Sequence, residues 1–231
     1  MKQDEQFPET VLILAGGCGS RMGGEKLSLA VDCDPLLLKV IRRVRSFAGN
    51  ILLSVAPRQI SYVSTVFSGI ISSYGIHVVQ DVNLFFRQED TEEEFLRAEE
   101  EPARQGGPLS GIVAGLEASS SEWLFVCACD MPRISEAVVR VLWKKGDKKA
   151  SVIVPLIGGY YEPLHAFYKK DCLPAAKKIL RCGRRKVTAF YDDILVSAVE
   201  EEKFSHLPGY KRSFENLNSK CDLEKMTGPL S

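Results

Sequence analysis

Short, continuously apolar runs alternate with segments of helical periodicity along most of this chain. The first run, TVLILA at 10–15, has no polar residue after its threonine. A strand that apolar belongs in a sheet covered on both faces. A glycine-rich loop follows it. Then comes PLLLKVIRRVRSFAG, with apolar residues at helical spacing and a glycine stop. Further strands are predicted at 50–56 (NILLSVA), 76–81 (IHVVQD), 122–130 (EWLFVCACD) and 151–157 (SVIVPLI). Helices are predicted at 58–73, from Gly107 through GPLSGIVAGLEASS, at 135–145 and over LPAAKKILRCG. Pro108 stands at a first-turn position, where a missing N–H costs nothing. This alternation predicts an α/β fold with a doubly wound, mostly parallel sheet. No repeat or Pro/Gly-rich linker divides the 231 residues, so a single domain over 1–231 is expected.

Composition narrows the partners. Thirty basic and thirty acidic residues cancel, which argues against a broad nucleic-acid-binding face but not against a local basic pocket. Apolar runs fall far short of the ~20 residues that span a bilayer, so no membrane partner is expected. The start, MKQDEQFPET, is polar and acidic, unlike a secretory signal. The cysteines (Cys18, Cys33, Cys127, Cys129, Cys172, Cys182 and Cys221) are odd in number, irregularly spaced and without a C-x-x-C pair. Reduced thiols in a cytoplasmic protein are expected. One stretch breaks the rhythm: residues 86–107 carry seven Glu and one Asp. An acidic insertion at about 86–106, solvated and adding little core, is predicted.

In an open α/β sheet, ligands bind beyond the carboxyl ends of the strands. The chemistry-bearing residues fall there. LILAGGCGSRMGGEK (12–26) follows the first strand, Asp81 ends the third, and Asp130 in CDMP ends the fourth. Glu162 and Pro163 follow the run at 151–157. The loop is not a dinucleotide fingerprint: counted from Gly17, the third glycine slot falls on Met22. Nor is it a P-loop, because Glu25 separates Gly24 from Lys26 and Leu27 replaces the hydroxyl. Its backbone N–H groups still suit phosphate oxygens, with Arg21 and Lys26 to neutralise more of them. Mg²⁺ binds through one or two carboxylates plus substrate phosphates. Asp130 suits that role beside such a loop, although Asp ahead of Met131-Pro132 also suits a turn. None of the three histidines is placed like a general base, and His165 is expected to be a packing residue.

LAGGCGSRMGGEK resembles the L-A-G-G-x-x-x-R-M-G-x-[DE]-K signature of the molybdenum cofactor guanylyltransferases, Rossmann-like members of the nucleotidyltransferase superfamily. Five further blocks follow in the family's order: GPLSGI (107–112), CDMP (129–132), EPLHAFY (162–168), GRRKVTAFYDD (183–193) and FENLNSKCDL (214–223). The resemblance implies transfer of GMP from GTP to molybdopterin, giving the guanine dinucleotide cofactor and pyrophosphate. It implies that Leu14, Ala15, Gly16 and Gly17 meet the nucleotide, Lys26 and Arg21 the triphosphate, and Asp81 the nucleotide again. Asp130 would carry Mg²⁺, and Arg21, Lys26 and Asp130 would form the catalytic set. Arg184, Arg185 and Lys186, with Asn216 and Asn218, would face the pterin and its phosphate. Molybdopterin-synthesis proteins or a molybdoenzyme chaperone are the expected protein partners. Two departures stand out. Asp81 lies 26 residues before Gly107 where the family has a short loop, and Ser219-Lys220-Cys221 replaces T-P-E.

Two rivals follow. A cytidylyltransferase acting on molybdopterin or another small phosphate would carry L-A-A-G in place of Leu14-Ala15-Gly16-Gly17. A bicyclic purine can lie closer to Gly16, which lacks a Cβ, than to an alanine. A non-catalytic nucleotide-binding partner subunit is the other rival; retention of Arg21, Lys26 and Asp130 together argues against it.

Overall fold

The computed structural model describes residues 6–16, 27, 30–31, 34–82 and 107–217. An eight-stranded sheet forms the frame. Its first strand, β1 (Thr10–Leu14), is buried at every position, as its apolar run requires. β1 lies between β4 (Asn50–Val55) and β6 (Trp123–Ala128), parallel to both. β5 (Ile76–Gln80) pairs in parallel on the far side of β4. A two-residue pair, β2 (Ala30–Val31) and β3 (Asp34–Pro35), stands outside this sheet.

Helices cover both faces. α1 (Leu36–Val44) buries Leu36, Leu37, Val40, Ile41 and Val44, the stripe that its helical spacing predicts. It shares one core with α5 (Glu136–Lys145), which buries Val138, Val139 and Leu142 against the same face. α5 begins after Ser135 with Glu136 in its first turn and ends on Lys144 and Lys145, charges that complement the helix dipole. The other face carries α4 (Gly107–Ala118) and α6 (Leu173–Arg181), whose Leu109, Ile112, Val113, Ala176 and Leu180 form a second core. The helix expected at 58–73 is divided into α2 (Ile60–Val66) and α3 (Ser68–Tyr74). The chain leaves helical geometry at Phe67 (φ −105°, ψ 11°), which sets that ring into the core.

Besides the short β2 and β3, three strands of the main sheet, at 160–161, 165–169 and 196–200, were not predicted. β9 (His165–Lys169) runs antiparallel between β6 and β7 (Val152–Ile157), and β10 (Val196–Glu200) closes the edge parallel to β7. β7 continues through a turn at Gly158 and Gly159 into β8 (Tyr160–Tyr161). Both glycines have positive φ (57° and 82°), the backbone that a two-residue hairpin turn demands. The sheet is therefore mostly parallel, with β8 and β9 reversed. The carboxyl ends of β1, β4, β5, β6 and β7 share one rim, where β9 begins.

Candidate active site

Hydrogen bonds carry the strand register onto this rim. Ala15 N–H donates to Ser54 C=O at 2.8 Å, Asp81 N–H to Val55 C=O at 2.9 Å, and Cys129 N–H to Leu14 C=O at 3.0 Å. The residues just past β1, β5 and β6 are thus held side by side. They enclose a cavity of about 290 Å³, lined by Leu14, Ala15 and Gly16, by Ser54 and Asp81, and by Asp130 and Asn216. Gly107, Pro108 and Gly111 of α4 form its opposite wall, and Leu164 closes one side. The amino end of α4 therefore borders the cavity, an arrangement that favours anions there.

Asp81 is set into the wall. Ser54 donates its hydroxyl hydrogen to Asp81 Oδ1. Although the residue as a whole is only half-buried, its carboxyl group is well enough shielded that desolvation pushes its pKa up to about 6. The Ser54 hydrogen bond opposes that rise without cancelling it. Gly16 is what makes room. A Cβ built on Gly16 would overlap Asp81 Oδ2 and come within 3.1 Å of its Cγ. The space left by the missing Cβ is occupied by a carboxylate, rather than being open for a purine as the sequence suggested. Gly111 has a similar role: a Cβ there would sit 2.8 Å from Leu14 Cδ2 and 3.1 Å from Asp81 Oδ1.

Asp130 is held through its backbone. Its carbonyl accepts the N–H of Leu217 at 2.9 Å, and Met131 N–H closes a turn onto Ala128 C=O at 3.3 Å. The turn and the rim position expected of it coexist. Its Oδ1 is shut off from solvent. The Leu217 bond brings Asn216, from the end of the described chain, to the cavity beside Asp130. Arg133 pairs with Glu215 at 2.7 Å, and Ser213 Oγ accepts the Ser135 N–H at 2.9 Å. His165 is fully buried, shares a 2.9 Å hydrogen bond with Ser213 Oγ and packs against Phe125 and Phe214. Burial lowers its pKa to about 3, so it is neutral at working pH and structural in role, as its sequence context implied.

Of the basic run, Arg185 comes near the cavity. A Cβ on Gly107 would lie 3.8 Å from Arg185 Cβ. Arg184 and Lys186 are exposed on either side of it. Glu162 is half-buried, with its pKa raised by desolvation, and is not among the lining residues. Cys127 and Cys129 are buried in the core, as two small packing residues. Gly17, Arg21, Lys26, Asn218 and the acidic stretch at 86–106 lie outside the described residues. Sequence reasoning missed Ser54 and Leu164. The trace of Ser54 was there to read, a lone hydroxyl near the carboxyl end of the apolar run NILLSVA.

A mostly parallel sheet covered on both faces, with two carboxylates and a glycine-rich strand end on one carboxyl rim, defines a nucleotidyltransferase of Rossmann-like fold. The chain belongs to the MobA-like NTP transferase domain family, whose family model matches residues 11–198. It is 32% identical over 216 residues, covering 94% of this chain and 90% of the relative, to the "Probable molybdenum cofactor guanylyltransferase" of Pelotomaculum thermopropionicum. It is 29% identical over 232 residues to the protein of the same name from Methanosarcina mazei, covering 98% of this chain and 93% of that one. Among solved structures it resembles the molybdopterin-guanine dinucleotide biosynthesis protein A of Archaeoglobus fulgidus, with a TM-score of 0.72 and 22% identity, covering 94% of this chain and 96% of that one. Among the described residues no helix is long and apolar enough to cross a membrane.

Proposed function

We propose that this protein transfers GMP from GTP to molybdopterin, forming the guanine dinucleotide cofactor and pyrophosphate. The observation that carries this reading is the single cavity shared by Leu14–Gly16, Asp81 and Asp130, in a chain so similar along its length to relatives bearing that name. The donor set also fits Mg²⁺. Asp130 supplies a hard oxygen at the rim of the cavity, and among the described residues no cluster of three His, Cys, Asp or Glu competes as a closed metal site. Held by Asp130 and the substrate phosphates, Mg²⁺ would neutralise the charge that grows on the leaving pyrophosphate.

The chain's own residues position the reactants. The purine lies against Leu14, Ala15 and Gly16. Asp81, steadied by Ser54, presents Oδ2 as an acceptor for N–H or O–H groups of the nucleotide. The amino end of α4 and the loop cations Arg21 and Lys26 hold the triphosphate. An oxygen of the acceptor's terminal phosphate attacks the α-phosphorus. The new P–O bond replaces the bond to the β-phosphate oxygen, which leaves as pyrophosphate. That nucleophile is already an anion, so catalysis consists of placement and charge neutralisation, with no proton to remove. The neutral, buried His165 agrees with this.

The test is incubation with molybdopterin, Mg²⁺ and each of GTP, CTP, ATP and UTP, following pyrophosphate release. GTP should be preferred over CTP on the order of a hundredfold, because a mismatched base leaves buried polar groups unpaired. A CTP preference would replace the reading with a cytidylyltransferase. Release with no nucleotide would leave a non-catalytic nucleotide-binding subunit.

A further inference from the structure

Large apolar side chains exposed among the described residues are few: Val66, Tyr160, Tyr161 and Leu195. Two of these are consecutive, and they sit on the functional rim. The Gly158–Gly159 turn folds them back beside Ile157 and Leu156, the last two residues of β7 at its carboxyl end. The hairpin is pinned rather than loose. Gly158 N–H donates to Glu201 Oε2 at 2.8 Å, and Glu201 also accepts from Tyr210 and pairs with Lys211.

Tyr161 is mounted with more care than an exposed tyrosine needs. Its ring meets that of Tyr191 at 5.7 Å, edge to face. Tyr191 OH bonds Tyr168 OH at 2.8 Å, and Tyr168 OH donates to Pro163 C=O at 2.7 Å. Pro163 precedes Leu164, which lines the cavity. The ring is thus tied through buried tyrosines to the cavity wall, yet remains 41% exposed. Tyr191 also belongs to the short 3-10 segment Val187–Asp193, which follows Arg184, Arg185 and Lys186 directly. An exposed aromatic ring, a run of three cations and the phosphate-transfer cavity therefore follow one another along the same side of the sheet. Tyr160, the preceding residue of the extended pair, points to the opposite face and is 78% exposed.

This combination matches a ligand with a flat ring at one end and a phosphate at the other. A tyrosine face stacks on planar heterocycles, and two χ angles held by neighbours make that stacking cheap in entropy. We propose that Tyr161 is the stacking platform for the planar heterocyclic ring of the acceptor and sets which acceptor phosphates the enzyme takes. The proposal rests on the guanylyltransferase reading above, and deepens it by placing the acceptor's ring on the β7–β8 hairpin.

The experiment measures KM for molybdopterin and for GTP separately in wild type, Tyr161→Ala, Tyr161→Phe and Tyr160→Ala, together with melting temperature. Loss of one stacked ring should raise the molybdopterin KM ~10-fold in Tyr161→Ala. GTP KM should hold steady, and Tyr161→Phe should stay near wild type. In parallel, quenching of 6-carboxypterin fluorescence should report binding to wild type and Tyr161→Phe, and its loss in Tyr161→Ala. An unchanged molybdopterin KM in an active Tyr161→Ala enzyme would overturn the proposal while leaving the guanylyltransferase reading intact. An equal rise in Tyr160→Ala would also overturn it, by tracing the effect to the hairpin. A wild type that neither uses molybdopterin nor binds 6-carboxypterin would remove both.

Discussion

Asp81 and Asp130 occupy the same topological position, one residue or so past a parallel strand, and the fold treats them differently. Asp81 follows β5, an edge strand with four of its five positions half-buried or exposed, yet its carboxyl group is turned inward onto Ser54 and Gly16. Asp130 follows β6, buried along its whole length, and is held by its backbone to a segment 87 residues further along the chain. On the proposed reading Asp81, packed against protein and with its pKa raised by burial, accepts from neutral donors of the nucleotide. On the same reading Asp130, fixed through its main chain, presents its carboxylate to a cation that the substrate phosphates share. Equivalent places in a sheet thus acquire separate tasks from what packs over them.

The largest expected effect is at Asp130. Asp130→Asn should lower kcat by a factor of a thousand or more, roughly 4 kcal/mol of transition-state stabilisation, with the melting temperature nearly unchanged. Near-normal turnover in saturating Mg²⁺ would remove the division of labour between the two carboxylates. Gly16→Ala comes next. The new methyl meets the Asp81 carboxylate, and such overpacking costs ~1–3 kcal/mol. GTP kcat/KM should fall ~10–100-fold. In an Asp81→Ala background the same substitution should cost far less; additive losses would mean that the two residues do not compete for one space.

Asp81→Asn should raise the GTP KM about tenfold, the value of one charge-assisted hydrogen bond. It also has a stability signature. With its folded pKa raised to about 6 from 3.8, Asp81 favours folding while protonated, fully below pH ~4, and loses that contribution as pH rises through 6. Urea unfolding of the ligand-free protein should show wild type losing at most ~3 kcal/mol over that window. Asp81→Asn should flatten the slope. A slope of the opposite sign would mean that a cation pairs with Asp81. Reversing Arg184 and Arg185 to Glu should raise the molybdopterin KM several-fold more than the GTP KM; equal effects would deny the run a separate phosphate. The smallest change is expected from Arg133→Ala. Its exposed pair with Glu215 is worth under ~1 kcal/mol. The Leu217–Asp130 backbone bond should hold the rim without it, and activity should stay within twofold.

Most of the rim was legible in the sequence because parallel strands broadcast themselves. Runs such as TVLILA and EWLFVCACD are buried on both faces, so their composition reveals the fold, and the residue after each run must lie on the carboxyl edge. Asp81 and Asp130 were placed in that way, and Leu14, Ala15, Gly16 and Asn216 were singled out through the resemblance; the structure lines one cavity with all six. The strand HAFYK was hidden within a motif block. Five residues of mixed character say little about strand or turn, and nothing about direction, because an antiparallel pairing leaves the same buried side chains as a parallel one.

What the sequence determined by itself was the order of β1, β4, β5, β6 and β7 with the helices between them, the edge that carries the chemistry, and the residue types available there, since all of these follow from local periodicity along the chain. The tertiary structure alone decided which of those residues touch. That Gly16 yields its space to Asp81, that Ser54 steadies the same carboxylate, that Leu217 fixes Asp130 and that Tyr191 braces Tyr161 are contacts across 27 to 87 residues. Such contacts depend on how two cores close over one sheet, and packing of that kind leaves no periodic mark on either partner's neighbourhood.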